Sequence, residues 1–257
     1  MIQWKAFFII LLLPSASLYS APLCEKVTIS AHPDYAPFHW VHNDVLMGAS
    51  ITVTQDILDE MSVPWETVVV GPWKRILKYA YEGKIDFIPA LKKTPEREQF
   101  LVYAPTPFYQ NPVGIFMRAG SPAITELAQL DGLIGSVNAG DKHGMVIDSF
   151  ISNQKIVQVH GILNNFIMLD KGRTDYFIIG LKTATMLLTE KQRQDQYNLV
   201  YSVTSSVIHN AFSRLSPCIY LLDEFNNRFK QKVDNGTVEQ KIEQFNEIWI
   251  NQKLYVD

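Results

Sequence analysis

Gly83-Lys84-Ile85-Asp86-Phe87-Ile88 and Gly172-Arg173-Thr174-Asp175-Tyr176-Phe177-Ile178 are two segments of the chain that share one pattern. In each, a glycine and a basic residue precede an aspartate and an apolar run typical of a buried strand. Apolar residues at helical spacing, from Trp73 to Tyr81, precede the first glycine, which suits the left-handed end of a helix. The repetition predicts the same supersecondary step in two similar lobes, although patterns of this length also recur by chance.

Short β-rich runs alternate with helical patterns from Cys24 onward, which predicts an α/β fold. Outside the repeat, we expect strands at 27–31 and 68–70, a helix at 50–61 and helical structure over 221–249.

Two lobes need connections, and the sequence offers two candidates. The run 114–123, which contains Gly120-Ser121-Pro122, is the first expected crossing, and 203–211 is the second. Ligands of open α/β sheets bind beyond the carboxyl ends of the strands, so the expected site is a cleft between the lobes.

The composition is that of a globular protein. Of 257 residues, 47% are hydrophobic and 19% are charged, which excludes a disordered chain. The length suits one or two domains with a sizeable core. The formal net charge is −3 and no long basic run occurs, so nucleic acid is not an expected partner.

Residues 1–20 have the features of a secretory signal peptide. Lys5 supplies the positive charge, 6–13 form an apolar run and 14–20 are rich in small residues, with cleavage expected near Ser20. The apolar run is shorter than the roughly 18 residues of a membrane span, which makes an uncleaved anchor the weaker alternative. Cys24 lacks the small residue expected before a lipidated cysteine. We therefore expect a soluble exported protein, located in the periplasm.

Two cysteines, Cys24 and Cys218, are present. An oxidising compartment permits them to pair across a very long loop. Two separate buried thiols are the alternative, and the sequence leaves both open.

The segment Lys92-Lys93-Thr94-Pro95-Glu96-Arg97 follows the strand predicted at 85–91. Thr94 suits an N-cap and Pro95 the first helical position, which places Arg97 in the first turn of a short helix. A cation is unfavourable there, so helix stability does not explain the arginine. Its planar fork and nearby backbone N–H groups favour a site for a carboxylate. The alternative is a solvated loop in which Arg97 pairs with Glu96 or Glu98.

Aromatic residues cluster where the first lobe should meet the cleft. Tyr35 and Trp73 follow strands and can present ring faces to a ligand. Phe38 and Trp40 are better explained by loop packing. In the second lobe, 135–144 passes from a strand end to an expected helix start and can offer backbone donors.

Enzymatic and metal-binding motifs are missing from the sequence. His32, His39 and His42 match no common zinc spacing, so no metal is expected. We find no nucleophile elbow, P-loop or dinucleotide glycine pattern, and expect neither catalysis nor a cofactor.

Six short motifs, in order, make the sequence resemble a known family. They are Asp34-Tyr35-Ala36-Pro37-Phe38, Gly48 before a helix, Gly83-Lys84-Ile85-Asp86, Thr94-Pro95-Glu96-Arg97, Tyr103-Ala104-Pro105-Thr106-Pro107-Phe108-Tyr109 and Ala211-Phe212-Ser213-Arg214. Together they resemble the bacterial extracellular solute-binding protein family 3, the periplasmic amino-acid-binding components of ABC importers, over essentially the whole mature chain.

The resemblance implies a type II-like periplasmic binding protein fold with two α/β domains and a two-strand hinge. Lobe 1 would comprise 24–116 plus 205–257, and lobe 2 would comprise 117–204. A monomer would capture a small polar carboxylate-bearing solute by hinge closure and deliver it to an inner-membrane ABC permease. A periplasmic sensory module is the alternative, with a dehydratase-type enzyme on the same fold as a weaker one.

The resemblance also implies roles for individual residues. Arg97 would clamp the ligand carboxylate, Tyr35 and Trp73 would line the pocket, and a loop containing Asp141 and Lys142 would close over it. The expected ligand-binding residues are Tyr35, Trp73, Lys92, Thr94, Arg97, Asp141 and Lys142.

Two positions depart from the family pattern. Gly180 stands where amino-acid binders commonly carry an aspartate for the ligand ammonium, and Lys92 stands where a hydroxyl usually helps to hold the carboxylate. The sequence therefore predicts a divergent member that takes a more anionic solute, or one whose amine is held by Asp141.

Overall fold

A computed structural model describes residues 23–204 and 207–253. The strands are β1 Val27–Ile29, β2 Asp34–Tyr35, β3 His39–His42, β4 Val45–Met47, β5 Trp65–Thr67, β6 Phe87–Lys92, β7 Leu101–Gln110, β8 Val113–Arg118, β9 Ile134–Asn138, β10 Lys155–Val159, β11 Tyr176–Gly180, β12 Tyr197–Val203 and β13 Val207–Ser213. The helices are α1 Ala49–Glu60, α2 Trp73–Tyr81, α3 Pro95–Glu98, α4 Met145–Ser152, α5 Ile162–Asp170, α6 Leu181–Glu190, α7 Leu222–Asp234 and α8 Thr237–Lys253. The predicted signal peptide lies outside the described residues.

Two five-stranded sheets have matching strand arrangements. The first has the order β5-β1-β6-β13-β7 and the second has the order β10-β9-β11-β8-β12. In each, three parallel strands are followed by two strands paired antiparallel. We refer to the part of the chain built on the first sheet as the first lobe and to the part built on the second sheet as the second lobe. A small antiparallel sheet, β2-β3-β4, extends the first lobe.

The repeated sequence pattern forms equivalent structures in the two lobes. Gly83 and Gly172 have positive φ angles of 71° and 62°, as expected for glycines that follow helices. Asp86 Oδ2 accepts a hydrogen bond from Thr28 N at 2.8 Å, and its own backbone N–H donates to Thr28 O. Asp175 repeats both contacts with Ile134, again at 2.8 Å for the carboxylate. Each aspartate therefore ties its strand to the neighbouring parallel strand, β1 or β9, and the two copies are equivalent supersecondary steps, as the repeat predicted.

The chain changes sheet earlier than the sequence suggested. Strand β7 belongs to the first sheet and β8 to the second, so the change falls at residues 111–112 rather than in the run 114–123. Gly114 lies within β8, where an added Cβ would come within 2.8 Å of Phe116 and 2.9 Å of Leu199. Close packing, not a flexible crossing, explains that glycine. The return lies between Val203 and Val207.

Most predicted helices lie near their expected positions, but one strand differs. The second strand of the chain's α/β pattern is β5, at Trp65–Thr67, and not at 68–70. The backbone of Val68 still donates to Ile29 O, so the apolar run continues alongside β1 without strand geometry.

Aromatic residues form much of the core of the first lobe. Phe87 packs against Phe212 and Phe225, while Phe108 stacks on Phe229 of α7. Helix α8 packs on α1, and its Trp249 contacts Trp40. Helix α7 therefore covers part of the first sheet, whereas α8 packs on α1 and on α6 of the second lobe. Among the residues that the structure describes, no helix combines the length and apolar character that a bilayer crossing requires.

A disulfide joins Cys24 to Cys218, 194 positions apart in sequence. Cys218 is fully buried at the turn before α7. The bridge attaches the start of the described chain to the C-terminal part of the first lobe.

We predict that Cys24→Ser combined with Cys218→Ser lowers the free energy of unfolding, by up to about 5 kcal/mol, because the unfolded chain loses a long cross-link. Urea unfolding monitored by circular dichroism measures the change. Titration of the denatured, unreduced wild-type protein should detect no free thiol, and two titratable thiols would contradict the bridge.

Candidate ligand-binding site

A cleft between the lobes has an empty volume of about 460 Å³, the solvent at its mouth included. The loops after β1 and β9, strands β2, β3, β6 and β8, the end of β11 and helices α2 and α3 supply its walls. The lining residues are His32, Tyr35, His39, Trp73, Ala90, Leu91, Lys92, Arg97, Val113, Asp141, Lys142, His143 and Gly180.

The short helix α3 positions Arg97. Thr94 caps it, since its Oγ1 accepts a hydrogen bond from Arg97 N at 3.3 Å, and Pro95 occupies the first turn. Thr94 is buried and is not among the residues that line the cleft. Its hydroxyl caps the helix instead of facing a ligand. The expected cap is present, and its effect is to fix the backbone from which the guanidinium extends.

The Arg97 guanidinium is buried and contacts both lobes. Its Nη1 donates to Lys92 O at 2.8 Å, and its Nη2 donates across the cleft to Gly140 O at 3.1 Å. The group also lies 5.4 Å from the centre of the Trp73 ring, within range of a cation–π interaction. Burial lowers the pKa of Arg97, but an arginine remains charged in proteins.

The internal ion pair that the sequence left open is not formed. Glu96 pairs with Lys142 at 3.0 Å, and Glu98 pairs with Lys93 at 2.8 Å. Among residues 23–204 and 207–253, no carboxylate oxygen lies within 4.0 Å of the Arg97 guanidinium. The carbonyl oxygens of Lys92 and Gly140 accept its hydrogen bonds, and no described carboxylate pairs with its charge.

Lys92 places a second basic group in the cleft. Its side chain is buried, and Nζ donates to Asn111 O at 3.1 Å, beside the point where the chain changes sheet. Burial lowers the pKa of Lys92 to about 7, a shift that the charge of Arg97 reinforces and Asp148 opposes. The amine therefore changes its charge near neutral pH.

The aromatic residues divide as the sequence suggested. Tyr35 and Trp73 line the cleft, and the Tyr35 hydroxyl accepts a hydrogen bond from Asn111 Nδ2 at 2.7 Å. Phe38 and Trp40 are instead fully buried in the core. Burial raises the pKa of Tyr35, so its phenol stays protonated.

The loop after β9 brings Asp141 and Lys142 to the cleft from the second lobe. Asp141 Oδ1 lies 3.5 Å from His32 Nε2 of the first lobe and accepts a hydrogen bond from Asn138 Nδ2 at 3.1 Å. Burial opposes ionisation of Asp141, but His32, His143 and the Asn138 hydrogen bond together lower its pKa. The only carboxylate among the described lining residues is thus already engaged by protein groups.

Three lining histidines, His32, His39 and His143, were missed as binding residues. His39 Nδ1 lies 2.9 Å from Ser50 Oγ, whose own proton goes to Phe38 O, so Nδ1 is the donor and Nε2 is left as an acceptor. Burial lowers the pKa of His39 well below its ordinary value, so the ring is neutral. His143 is also buried, and its Nε2 has no hydrogen-bond partner in the described part of the chain. The sequence signal for His143 was its place directly after Asp141 and Lys142.

Several direct contacts cross the cleft besides Arg97 with Gly140. Asp34 Oδ2 accepts from Ile162 N at 2.9 Å, at the N-terminus of α5, where a negative charge is favourable. Thr183 Oγ1 donates to Ala36 O at 3.0 Å, and Lys74 Nζ donates to Gln158 Oε1 at 2.9 Å. The structure is therefore a closed arrangement of the lobes.

Gly140 and Gly180 permit two of the close approaches. At Gly140, φ is +91° and an added Cβ would come within 2.9 Å of the Lys74 side chain. At Gly180, an added Cβ would lie 2.6 Å from Nδ2 of Asn111. The Asn111 amide fills the space beside the position at which the family pattern would place an aspartate.

Comparison with known proteins identifies the fold. No protein-family model and no curated protein matches the sequence. A mutant of ArgBP from T. maritima has a TM-score of 0.72 at 20% identity, over 86% of this chain and 95% of that one. A histidine kinase sensor domain with similarity to periplasmic binding proteins has a TM-score of 0.73 at 16% identity, with coverages of 86% and 95%. AbpA from Streptococcus pneumoniae, bound to L-arginine, has a TM-score of 0.71 at 18% identity, with coverages of 87% and 95%. The chain has the two-lobe periplasmic binding protein fold.

The buried amine gives a test of the site's electrostatics. Lys92 binds its proton near pH 7 in the folded protein but near 10.5 when unfolded, so the unfolded state holds more protons between these values. Its contribution to stability should therefore fall as pH falls from about 10 to 7. Lys92→Met should remove this dependence and gain on the order of a few kcal/mol relative to wild type at pH 7.

Denaturant unfolding at several pH values measures the effect. Lys93→Met, which changes the exposed neighbour that pairs with Glu98, is the matched control and should keep the wild-type pH dependence. An unchanged pH dependence in Lys92→Met would show that the amine is not desolvated.

Proposed function

We propose that this chain is a periplasmic solute-binding protein that captures a small polar carboxylate-bearing solute by closure of its two lobes. The observation that carries the proposal is the buried guanidinium of Arg97, which lines the cleft, touches both lobes and has no carboxylate partner among the described residues. A ligand carboxylate would accept two parallel hydrogen bonds from such a group. Tyr35 and Trp73 would form the apolar walls around the ligand.

Closure and binding are coupled in this proposal because the ligand would contact both lobes at once. Arg97 and Lys92 belong to the first lobe, and Asp141, Lys142 and His143 belong to the second. A solute held between them stabilises the closed arrangement by its differential affinity for the closed state. The changes of sheet at 111–112 and between Val203 and Val207 would form the hinge.

We propose transport as the physiological role, with an inner-membrane ABC permease as the partner and the periplasm as the location. The likeness to AbpA, named as an amino acid ABC transporter substrate-binding protein, supports this choice. The predicted signal peptide supports export.

Sensing is the second candidate function. The structural likeness to a histidine kinase sensor domain and to a periplasmic domain of BvgS from Bordetella pertussis favours it, the latter with a TM-score of 0.71 at 17% identity. Deleting the gene separates the two roles: loss of solute uptake supports transport, whereas loss of a transcriptional response with normal uptake supports sensing. Appearance of product during incubation with a bound acid would instead indicate an enzyme.

We predict that Arg97→Ala weakens binding of a carboxylate ligand by about 2–5 kcal/mol, because it removes a desolvated charge partner. Arg97→Lys should also weaken binding, since an ammonium cannot reproduce the bidentate geometry. A thermal-shift screen of small acids and amino acids identifies the ligand, and calorimetry measures its affinity.

Arg173→Ala is the control, because Arg173 is exposed in the second lobe and lies outside the cleft. Equal affinities of wild type and Arg97→Ala for the same carboxylate would remove Arg97 from the site. If no small carboxylate stabilises the wild-type protein, the proposed function itself is wrong.

A further inference from the structure

We propose that the solute carries, besides its carboxylate, an uncharged hydrogen-bonding group, a hydroxyl or a carboxamide, which binds His39 and Tyr35. This inference deepens the function proposed above and rests on it. It assigns to His39 the role of a specificity-determining residue that selects an uncharged donor over a cationic one.

The first observation is an imidazole nitrogen of a cleft-lining residue that has no protein partner. His39 is 1% exposed and lines the cleft. Its Nδ1 donates to Ser50 Oγ at 2.9 Å, because the proton of that hydroxyl is used on Phe38 O. A neutral imidazole protonated at Nδ1 has a lone pair at Nε2, and no hydrogen bond to Nε2 forms within residues 23–204 and 207–253. A ligand donor at this point would therefore satisfy a buried acceptor.

The second observation is a phenol proton on the neighbouring side chain. The rings of Tyr35 and His39 have centres 5.3 Å apart, and both residues line the cleft. The Tyr35 oxygen accepts from Asn111 Nδ2 at 2.7 Å, and no acceptor in the described part of the chain takes its own proton. Burial lowers the pKa of His39 and raises that of Tyr35, so the imidazole stays neutral and the phenol stays protonated. The two side chains therefore offer one acceptor and one donor to a ligand.

The chemistry of this pair favours an uncharged ligand group. A hydroxyl or a carboxamide both donates and accepts hydrogen bonds, so it matches His39 and Tyr35 together. An ammonium or a guanidinium only donates, so it would leave the Tyr35 proton unmatched.

The charges of the cleft also disfavour a cationic group. Such a group would be buried in a cleft that already holds the guanidinium of Arg97. The one carboxylate among the described lining residues is that of Asp141, which lies 3.5 Å from His32 Nε2 and accepts from Asn138. A hydroxyl or a carboxamide needs no counter-charge, because its burial requires only hydrogen-bond partners.

The test compares carboxylates of the same shape that differ in one group. The sets are γ-hydroxybutyrate with valerate and γ-aminobutyrate, succinamate with levulinate, and L-homoserine with L-norvaline. In valerate, levulinate and L-norvaline a methyl replaces the hydroxyl or the amide nitrogen, and in γ-aminobutyrate an ammonium does. Each compound is titrated into the full chain by calorimetry at pH 7.

In at least one set the hydroxyl or amide compound should bind about tenfold or more tightly than its methyl analogue, because the methyl leaves buried polar groups unpaired. We also expect γ-hydroxybutyrate to bind more tightly than γ-aminobutyrate, since only the hydroxyl both donates and accepts.

His39→Asn should reduce the preference over the methyl analogue towards unity, because an asparagine amide can still donate to Ser50 but does not extend to the place of Nε2. His39→Gln should keep part of the preference, since its longer amide places an acceptor near that point. Tyr35→Phe, which removes the phenol proton and keeps the ring, should also reduce the preference. His42→Asn is the matched control, because His42 lies on the same strand outside the cleft and should keep the wild-type preference.

Thermal unfolding without ligand verifies that each variant folds, and the wild-type comparison alone decides the inference if the variants do not. Methyl analogues that bind as tightly as their partners in every set would overturn it, as would tighter binding of γ-aminobutyrate than of γ-hydroxybutyrate. A preference that survives in both folded His39→Asn and folded Tyr35→Phe would overturn it too, and so would an absence of binding in all three sets when another carboxylate stabilises the protein. Failure of every small carboxylate to bind would instead overturn the proposed function, and the inference with it.

Discussion

A buried charge without a matched counter-charge is the constraint on which the site depends. The Arg97 guanidinium is held by two carbonyl oxygens, those of Lys92 and Gly140, and by the face of Trp73. Carbonyls and rings offset part of the cost of removing a cation from water, but they carry no negative charge to match it. In the proposed function this imbalance would favour a small anion in the cleft, and the cap at Thr94 fixes the helical turn that carries the group.

The same guanidinium links recognition to the arrangement of the lobes. Its hydrogen bond to Gly140 exists only when the second lobe lies against the first, as do the contacts of Asp34 with Ile162 and of Thr183 with Ala36. The lobes also meet through the packing of α6 on α8 and the ion pair of Lys182 with Glu243, so many contacts together define the closed geometry. A solute that bridges the lobes would add the missing charge match to a surface already shaped by protein contacts.

The sequence predicted the features that depend on local chemistry. The glycine–basic–aspartate repeat identified two equivalent strands, and the Thr94-Pro95 signal placed Arg97 in a helical turn, because caps and turns are set by neighbouring residues. It did not identify His39 and His143 as lining residues. The surroundings of a buried imidazole are set by side chains distant in sequence, such as Ser50 for His39. The change of sheet at 111–112 was also missed, because the glycine run that suggested 114–123 serves close packing within β8.

The bridge between Cys24 and Cys218 cross-links the first lobe and leaves the second lobe without a disulfide among the described residues. It fastens the front of the described chain to the first lobe, while α8 packs on α1 of the first lobe and on α6 of the second. Within the described chain, the second sheet is thus inserted between β7 and β13 of the first sheet. A change in the angle between the lobes would be detected by a pair of fluorescent probes, one placed within each lobe.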